Sequence, residues 1–200
     1  MQHPMPNIDS LIERCQDGDE RAAETLYNHF RDQTFRLAFG ILNHWDDAEE
    51  VTQDSLIYAL TNIRRYDPKR ARFSTWLHTI TVCRCRNKRR GRRWLLLSLT
   101  TWLGQGQDVP DPTPNQEHQT IKADLRSDVW QAVQRLSPPL REAILLRHWA
   151  EHTCKEVAEI MGCPLPTAQS RLRLAHQQLR QTLSASQRLN LSDFGEEVAP

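Results

Sequence analysis

The sequence lacks strand-like alternation of apolar and polar residues, hairpin signals and internal repeats, which argues against a sheet. No apolar run approaches the roughly 20 residues needed to cross a bilayer. The longest, Trp94 to Leu97, stops at Ser98, so no membrane insertion is expected. A basic segment leading into an apolar one is missing at the N-terminus, so no secretory signal is read there. The five cysteines are odd in number and not spaced as a disulfide framework, which suits a reducing cytoplasm. There is no Gly-x-Ser-x-Gly, no phosphate loop and no His-Glu-x-x-His, so no catalytic residue and no cofactor are expected. His148, His152, Cys154 and Cys163 cluster, but Thr153 caps a new helix among them and no Cys-x-x-Cys occurs, so no metal site is expected either.

What the chain does have is polarised charge. Residues 61–95 hold twelve Lys/Arg against one acid, Asp67, whereas residues 1–60 hold four basic residues against twelve acids. The net charge of +1 hides both blocks. Arginine outnumbers lysine ten to two in the basic block, which also carries Tyr66, Phe73, Trp76 and Trp94. Guanidinium forks suit phosphate, and aromatic faces stack unpaired bases. A solvated helix face is the plainer alternative.

The periodic stretches read as helices. Ile8, Leu11, Ile12 and Cys15 form one stripe, and Asp17-Gly18-Asp19 breaks and re-caps the chain. A second stripe runs from Ala22 to Leu42, with Asn43 as its stop. Asp46-x-x-Glu49 resembles a capping box opening a helix through Ala48, Val51, Ser55 and Ala59. Tyr66-Asp67-Pro68-Lys69 is turn chemistry, and Ser74 is the expected cap of a helix into the basic run. Residues 98–120 are rich in Gly, Pro, Gln, Asp and Asn and read as a flexible linker. Beyond it, Leu125, Val129, Val133 and Leu136 mark a helix, and Ser137-Pro138 starts another. Thr153-x-x-Glu156 opens a short helix that Gly162 ends. Cys163 to Pro166 is a tight connection to a last helix, Thr167 to Leu183, and the tail is polar.

The short helices around Gly162 suit a helix-turn-helix, whose second helix offers small and polar side chains to the major groove. Thr167, Gln169, Ser170, Arg171 and Arg173 form that face: Gln169 suits adenine, and the arginines suit guanine or phosphate. An ordinary helical hairpin is the competing reading. On the basic side, Tyr66 and Phe73 bracket Lys69, Arg70 and Arg72, with Trp76 beside them. Trp76 reads equally well as core beside Leu77 and Ile80. The acids Asp47, Glu50 and Asp54, with Gln53, suit a basic protein partner rather than DNA.

Four stretches resemble the bacterial sigma-70 family of RNA polymerase sigma factors, in its short extracytoplasmic-function (ECF) group. Asp46–Leu60 resembles the polymerase-clamp-binding helix, Arg65–Ile80 the promoter-melting segment, Cys85–Arg90 the basic end of the −10-reading helix, and Leu136–Ala175 the helix-turn-helix that reads the −35 element. The resemblance implies an all-α chain of two small helical domains joined by a flexible linker. Region 2 would occupy 5–95, the linker 96–121, region 4 122–183, and a tail 184–200. It implies binding to the clamp and flap regions of core RNA polymerase through Asp47, Glu50, Gln53 and Asp54, and to promoter DNA. The −10 contacts would be Tyr66, Lys69, Arg70, Arg72, Phe73, Trp76, Arg84, Asn87, Lys88, Arg89 and Arg90. The −35 contacts would be Pro166, Thr167, Gln169, Ser170, Arg171 and Arg173. It further implies an anti-sigma partner, a bacterial cytoplasmic location and no enzymatic activity. Cys83 and Asn87 stand where the family usually has Asn and Asp, and Thr167-Ala168-Gln169-Ser170-Arg171 replaces the usual Thr-Val-Lys-Ser-Arg, losing one positive charge. A helix-turn-helix repressor would leave the acidic and aromatic-basic helices unexplained. A nuclease would require a carboxylate cluster in the basic zone that Asp67 alone does not supply.

Overall fold

The computed structural model describes residues 7–103 and 128–192, with side chains described over 7–91 and 128–183. The chain divides into two compact units, Met1–Gly106 and Gln107–Pro200. All regular elements among the described residues are helical.

The first unit holds α1 (Ile8–Gln16), α2 (Glu20–Leu42), α3 (Trp45–Thr61), a 3-10 turn (Ile63–Arg65) and α4 (Phe73–Leu103). Local chemistry sets most of the boundaries. Gly18 takes φ +93°, a backbone that side chains disfavour, and Asp19 then caps α2 by accepting from the amides of Arg21 and Ala22. Arg14 bonds the same carboxylate at 2.6 Å and, with those amides, holds its pKa below the usual carboxylate range. Asn43 ends α2 in the left-handed region. The start of α3 differs from the expected Asp46 box: the imidazole of His44 caps it, accepting from the Asp47 amide at 3.3 Å. Similarly, α4 opens at Phe73, one residue before the expected Ser74 cap, and its backbone continues past residue 95 to Leu103. The first eight residues of the expected linker are therefore helical, while 104–121 lie outside the described residues.

Within this unit α2 packs on α1, α3 and α4, and α3 on α4. The core joins Leu11, Ile12 and Cys15 of α1 to Leu26 and Phe30 of α2, Leu56 and Ala59 of α3, and Ile63, Tyr66, Phe73 and Leu77. Long-range polar links pin the end of α1. The Gln16 amide donates to the carbonyl of Ile63 at 3.2 Å, and Arg64 donates back to the carbonyl of Gln16 at 3.1 Å.

Tyr66 and Phe73 belong to this core. They are 7% and 4% exposed, and Phe73 meets Phe30 at 4.9 Å and Tyr66 at 5.4 Å between ring centres. Both rings, expected to offer stacking faces to bases, are buried here in the core that α1 and α2 help to form.

The second unit holds α5 (Asp128–Arg135), α6 (Pro138–His148), α7 (Cys154–Met161) and α8 (Leu165–Ser192). Leu125, expected on the first of these, lies outside the described residues. Pro138 occupies the first turn of α6, where a missing amide hydrogen costs nothing. Arg141 closes the end of α5 by donating to the carbonyls of Gln134 and Leu136. The Thr153–Glu156 box is complete in both directions. Gly162 ends α7 at φ +64°. The tight connection is shorter than expected, since α8 already includes Leu165 and Pro166, and it runs to Ser192, past the expected end at 183. The core gathers Trp130, Leu140, Leu146, Val157, Met161, Ala168, Leu172 and Ala175, with α8 packed on α5, α6 and α7.

Burial sets a stability test. Phe73→Ala should destabilise the first unit by about 3–5 kcal/mol, as for other buried phenylalanines. Lys69→Ala and Arg70→Ala, on exposed positions of the same turn, should each stay within about 0.5 kcal/mol. Urea melts followed by circular dichroism check this; a Phe73→Ala midpoint equal to the parent's would place the ring outside the core.

Candidate nucleic-acid and polymerase interfaces

The turn 66–72 is built on the buried aromatics. Asp67 accepts from the Lys69 amide at 2.9 Å, and the Tyr66 hydroxyl donates to the carbonyl of Ala71 at 3.0 Å. Burial pushes the Tyr66 phenol above its ordinary pKa. With both ends fixed, Lys69, Arg70 and Arg72 are exposed on the outside of the turn. Trp76 lies one turn into α4, half-buried, 5.5 Å from the Tyr66 ring and 5.7 Å from Phe73. The structure thus exposes the three cations, leaves Trp76 half-buried and withdraws Tyr66 and Phe73 into the core.

Further along α4, Leu77, His78, Thr81, Val82 and Cys85 turn inward, and Thr81 satisfies its hydroxyl on the Leu77 carbonyl. The other face carries Arg84, Asn87, Lys88, Arg89 and Arg90. Asn87 and Arg90 are exposed and bonded to each other at 2.8 Å. Arg84 and Lys88 instead face α3. Lys88 reaches Glu50 at 2.5 Å and Asp47 at 3.6 Å, and Arg84 reaches Asp54 at 3.2 Å. The Glu50 hydrogen bond, against a smaller opposing effect of burial, holds Lys88 above its ordinary pKa. Arg84 also lies over the Tyr58 ring, 5.3 Å from its centre.

The acids expected to meet polymerase and two of the cations expected to meet DNA therefore pair with one another. Sequence reasoning placed these groups on two separate surfaces. The sign of the two blocks was the available signal, since opposite charge within one small unit tends to be apposed. Of the acidic set, Glu50, Gln53 and Asp54 remain exposed and Asp47 is half-buried. Ile57 and Tyr58, 51% and 40% exposed, continue the same helix and were not anticipated.

In the second unit, α7, Gly162 and α8 make the expected helix-turn-helix. Pro166, Gln169, Ser170 and Arg173 are exposed, Thr167 and Arg171 are half-buried, and Ala168, Leu172 and Ala175 lock the opposite face into the core. An exposed row of small and polar groups beginning at a helix N-terminus suits a major groove; Leu165 and Leu174, 40% and 43% exposed, lie on the same helix.

Among the described residues, no helix is long and apolar enough to cross a membrane. Residues 26–95 match the family Sigma-70 region 2, and residues 126–179 match Sigma-70, region 4; together they span more than half the chain. The chain is 29% identical over 172 residues to "ECF RNA polymerase sigma factor SigE" of Mycolicibacterium smegmatis, covering 84% of this chain and 65% of that relative. It is 26% identical over 182 residues to "ECF RNA polymerase sigma factor SigW" of Bacillus subtilis, covering 88% of this chain and 96% of the other. In fold it resembles the sigma factor RpoE of Bartonella quintana, solved with the anti-sigma factor NepR, at a TM-score of 0.65 and 24% identity over 80% of this chain and 96% of that one. The order of the two matched regions agrees with the order of the basic turn and the helix-turn-helix, and the chain belongs to the sigma-70 family as an ECF-type sigma factor, a class that directs promoter-specific transcription initiation.

Proposed function

We propose that the chain divides promoter recognition between a unit at 5–95 and a unit at 122–183, tethered by 96–121, with 184–200 as a tail. The second unit reads the −35 element as duplex through Pro166, Thr167, Gln169, Ser170, Arg171 and Arg173. The exposed polar row on α8 is the observation that carries this reading. The first unit binds the −10 region. Lys69, Arg70 and Arg72 grip the backbone, Trp76 offers a partly exposed ring, and Asn87, Arg89 and Arg90 extend the basic path. Tyr66 and Phe73 act as its scaffold. The α3 surface of Glu50, Gln53 and Asp54, with Asp47 behind it, docks on the clamp of core polymerase, and region 4 meets the flap. The chain has no catalysis of its own, acts in the bacterial cytoplasm where the polymerase is, and is held in check by an anti-sigma protein, as the Bartonella relative's complex suggests.

Run-off transcription with core enzyme on a promoter library tests the reading as a whole. Arg171→Ala and Arg173→Ala should weaken −35 binding: a base-reading arginine loses roughly 1–3 kcal/mol at one position, and a phosphate-binding one weakens all sequences alike. Parental affinity in both variants would mean the wrong helix has been assigned. Replacing Lys69, Arg70 and Arg72 by alanine should spare the closed complex and slow opening, seen as fewer permanganate-reactive thymines on linear DNA. Opening at the parental rate would assign melting elsewhere. Glu50→Gln with Asp54→Asn should lower core affinity without the like-charge clash that reversal would create beside Lys88 and Arg84. Unchanged core affinity at moderate salt would remove α3 from the clamp interface.

A further inference from the structure

The second unit holds a pair of histidines that promoter recognition leaves unused. His148 ends α6 and His176 sits midway along α8, 28 residues apart in sequence. Their Nε2 atoms lie 2.9 Å apart, with ring centres at 5.1 Å and ring planes at 77°. The rings therefore meet tip to tip, as partners in one N–H···N hydrogen bond that ties the end of α6 to α8. Both line an open cavity of about 460 Å³, and apart from the pair its walls carry no ionisable side chain.

Such a bond needs one ring as donor and the other as acceptor. With both rings neutral, one carries its hydrogen on Nε2 and the other on Nδ1. A first added proton enters at the free Nδ1 of the donor ring, and the bond survives as a charge-assisted one. A second proton puts hydrogen on both Nε2 atoms. The acceptor is then gone and two cations face each other across the contact. The pair is exposed to solvent, so protons reach it freely. Two rings coupled in this way titrate in steps that belong to the pair.

The surroundings act against the second proton. Partial burial first, then the charges of His176 and Arg147, hold His148 below its ordinary pKa. Arg147 is fixed in place by donating to the carbonyl of His152 at 2.9 Å. Arg173 and Arg180 stand one turn to either side of His176 on α8, and α5 presents only Val129, Trp130 and Val133 to the cavity. The opposing influence is the negative end of α6, which favours a cation at His148. Because the lowering prevails, the contribution of His148 to stability is complete above the ordinary histidine pKa. It is lost as the pH falls from there through the lowered value.

We propose that His148 and His176 form a proton-operated clasp between α6 and α8, closed by their shared hydrogen bond with both rings neutral or one protonated, and opened when the second ring is protonated. The clasp does not depend on the promoter reading.

The test uses the full chain with nitrogen-15 in its histidines, followed by NMR as the pH is lowered. Above the second step of the pair's titration, the two Nε2 atoms should show a nitrogen–nitrogen coupling across the hydrogen bond, and below it the coupling should vanish. In His176→Ala, His148 should titrate in a single step at higher pH than the second step of the parent. Amide hydrogen exchange gives the mechanical readout. Above the step, protection in α6 and α8 should be about fivefold greater in the parent than in His176→Ala, the ordinary worth of one hydrogen bond. Below the step the two proteins should be equally protected. The remaining histidines are common to both and cancel. Should the variant fold poorly, the coupling in the parent decides alone. No coupling above the step, a His148 midpoint in His176→Ala no higher than the parent's second step, or the same protection gap on both sides of it would each overturn the clasp.

Discussion

Burial of Phe73 between Phe30 and Tyr66 is the contact on which the first unit depends. It closes the 66–72 turn, starts α4 at a fixed angle and brings the 3-10 turn against α1. Three cations then stand outward because the aromatic residues flanking them stand inward. The aromatic residues contribute to nucleic-acid binding indirectly, by giving Lys69, Arg70 and Arg72 a rigid backbone. Ordering long side chains at the moment of binding costs about 0.5–1.5 kcal/mol each, and a turn that is already rigid spares the backbone part of that cost.

The seam between α3 and α4 has a different character. Lys88 with Glu50 and Asp47, and Arg84 with Asp54, are half-exposed pairs whose individual worth is about 0–1 kcal/mol. They add little stability. What they do is cancel charge locally along that seam. A basic segment of the sequence thus yields a narrower basic surface than its composition suggests. Any partner that takes up Glu50 or Asp54 widens that surface by releasing the cation behind it.

Short-range features were legible in the sequence. The Asp19 cap, the Asn43 stop, the Thr153 box and Gly162 each act over three or four residues, and their chemistry is written in that span. The exposed row Gln169, Ser170 and Arg173 follows from helical spacing against Ala168, Leu172 and Ala175. What spacing does not carry is which apolar groups a distant helix covers. Tyr66 and Phe73 are interleaved with cations, and only packing under α1 and α2 decides that they lie inside. His44 escaped notice because imidazole is an uncommon cap. The backbone of α4 runs on past the basic segment to Leu103. The His148–His176 contact joins residues whose separation in sequence carries no periodic signal at all.

The ties between Gln16, Ile63 and Arg64 bear on the order in which the chain can be assembled during synthesis. α1 is short, nine residues, and helices of that length are marginal alone in water. Its polar anchors arrive only when the ribosome has released the segment around residue 64. Until then Leu11, Ile12 and Cys15 have an incomplete surface to cover. α1 therefore gains its polar anchors only from chain made 47 and 48 residues after Gln16. The second unit shares this dependence on later chain, because α5 and α6 pack more on α8 than on their nearer neighbours.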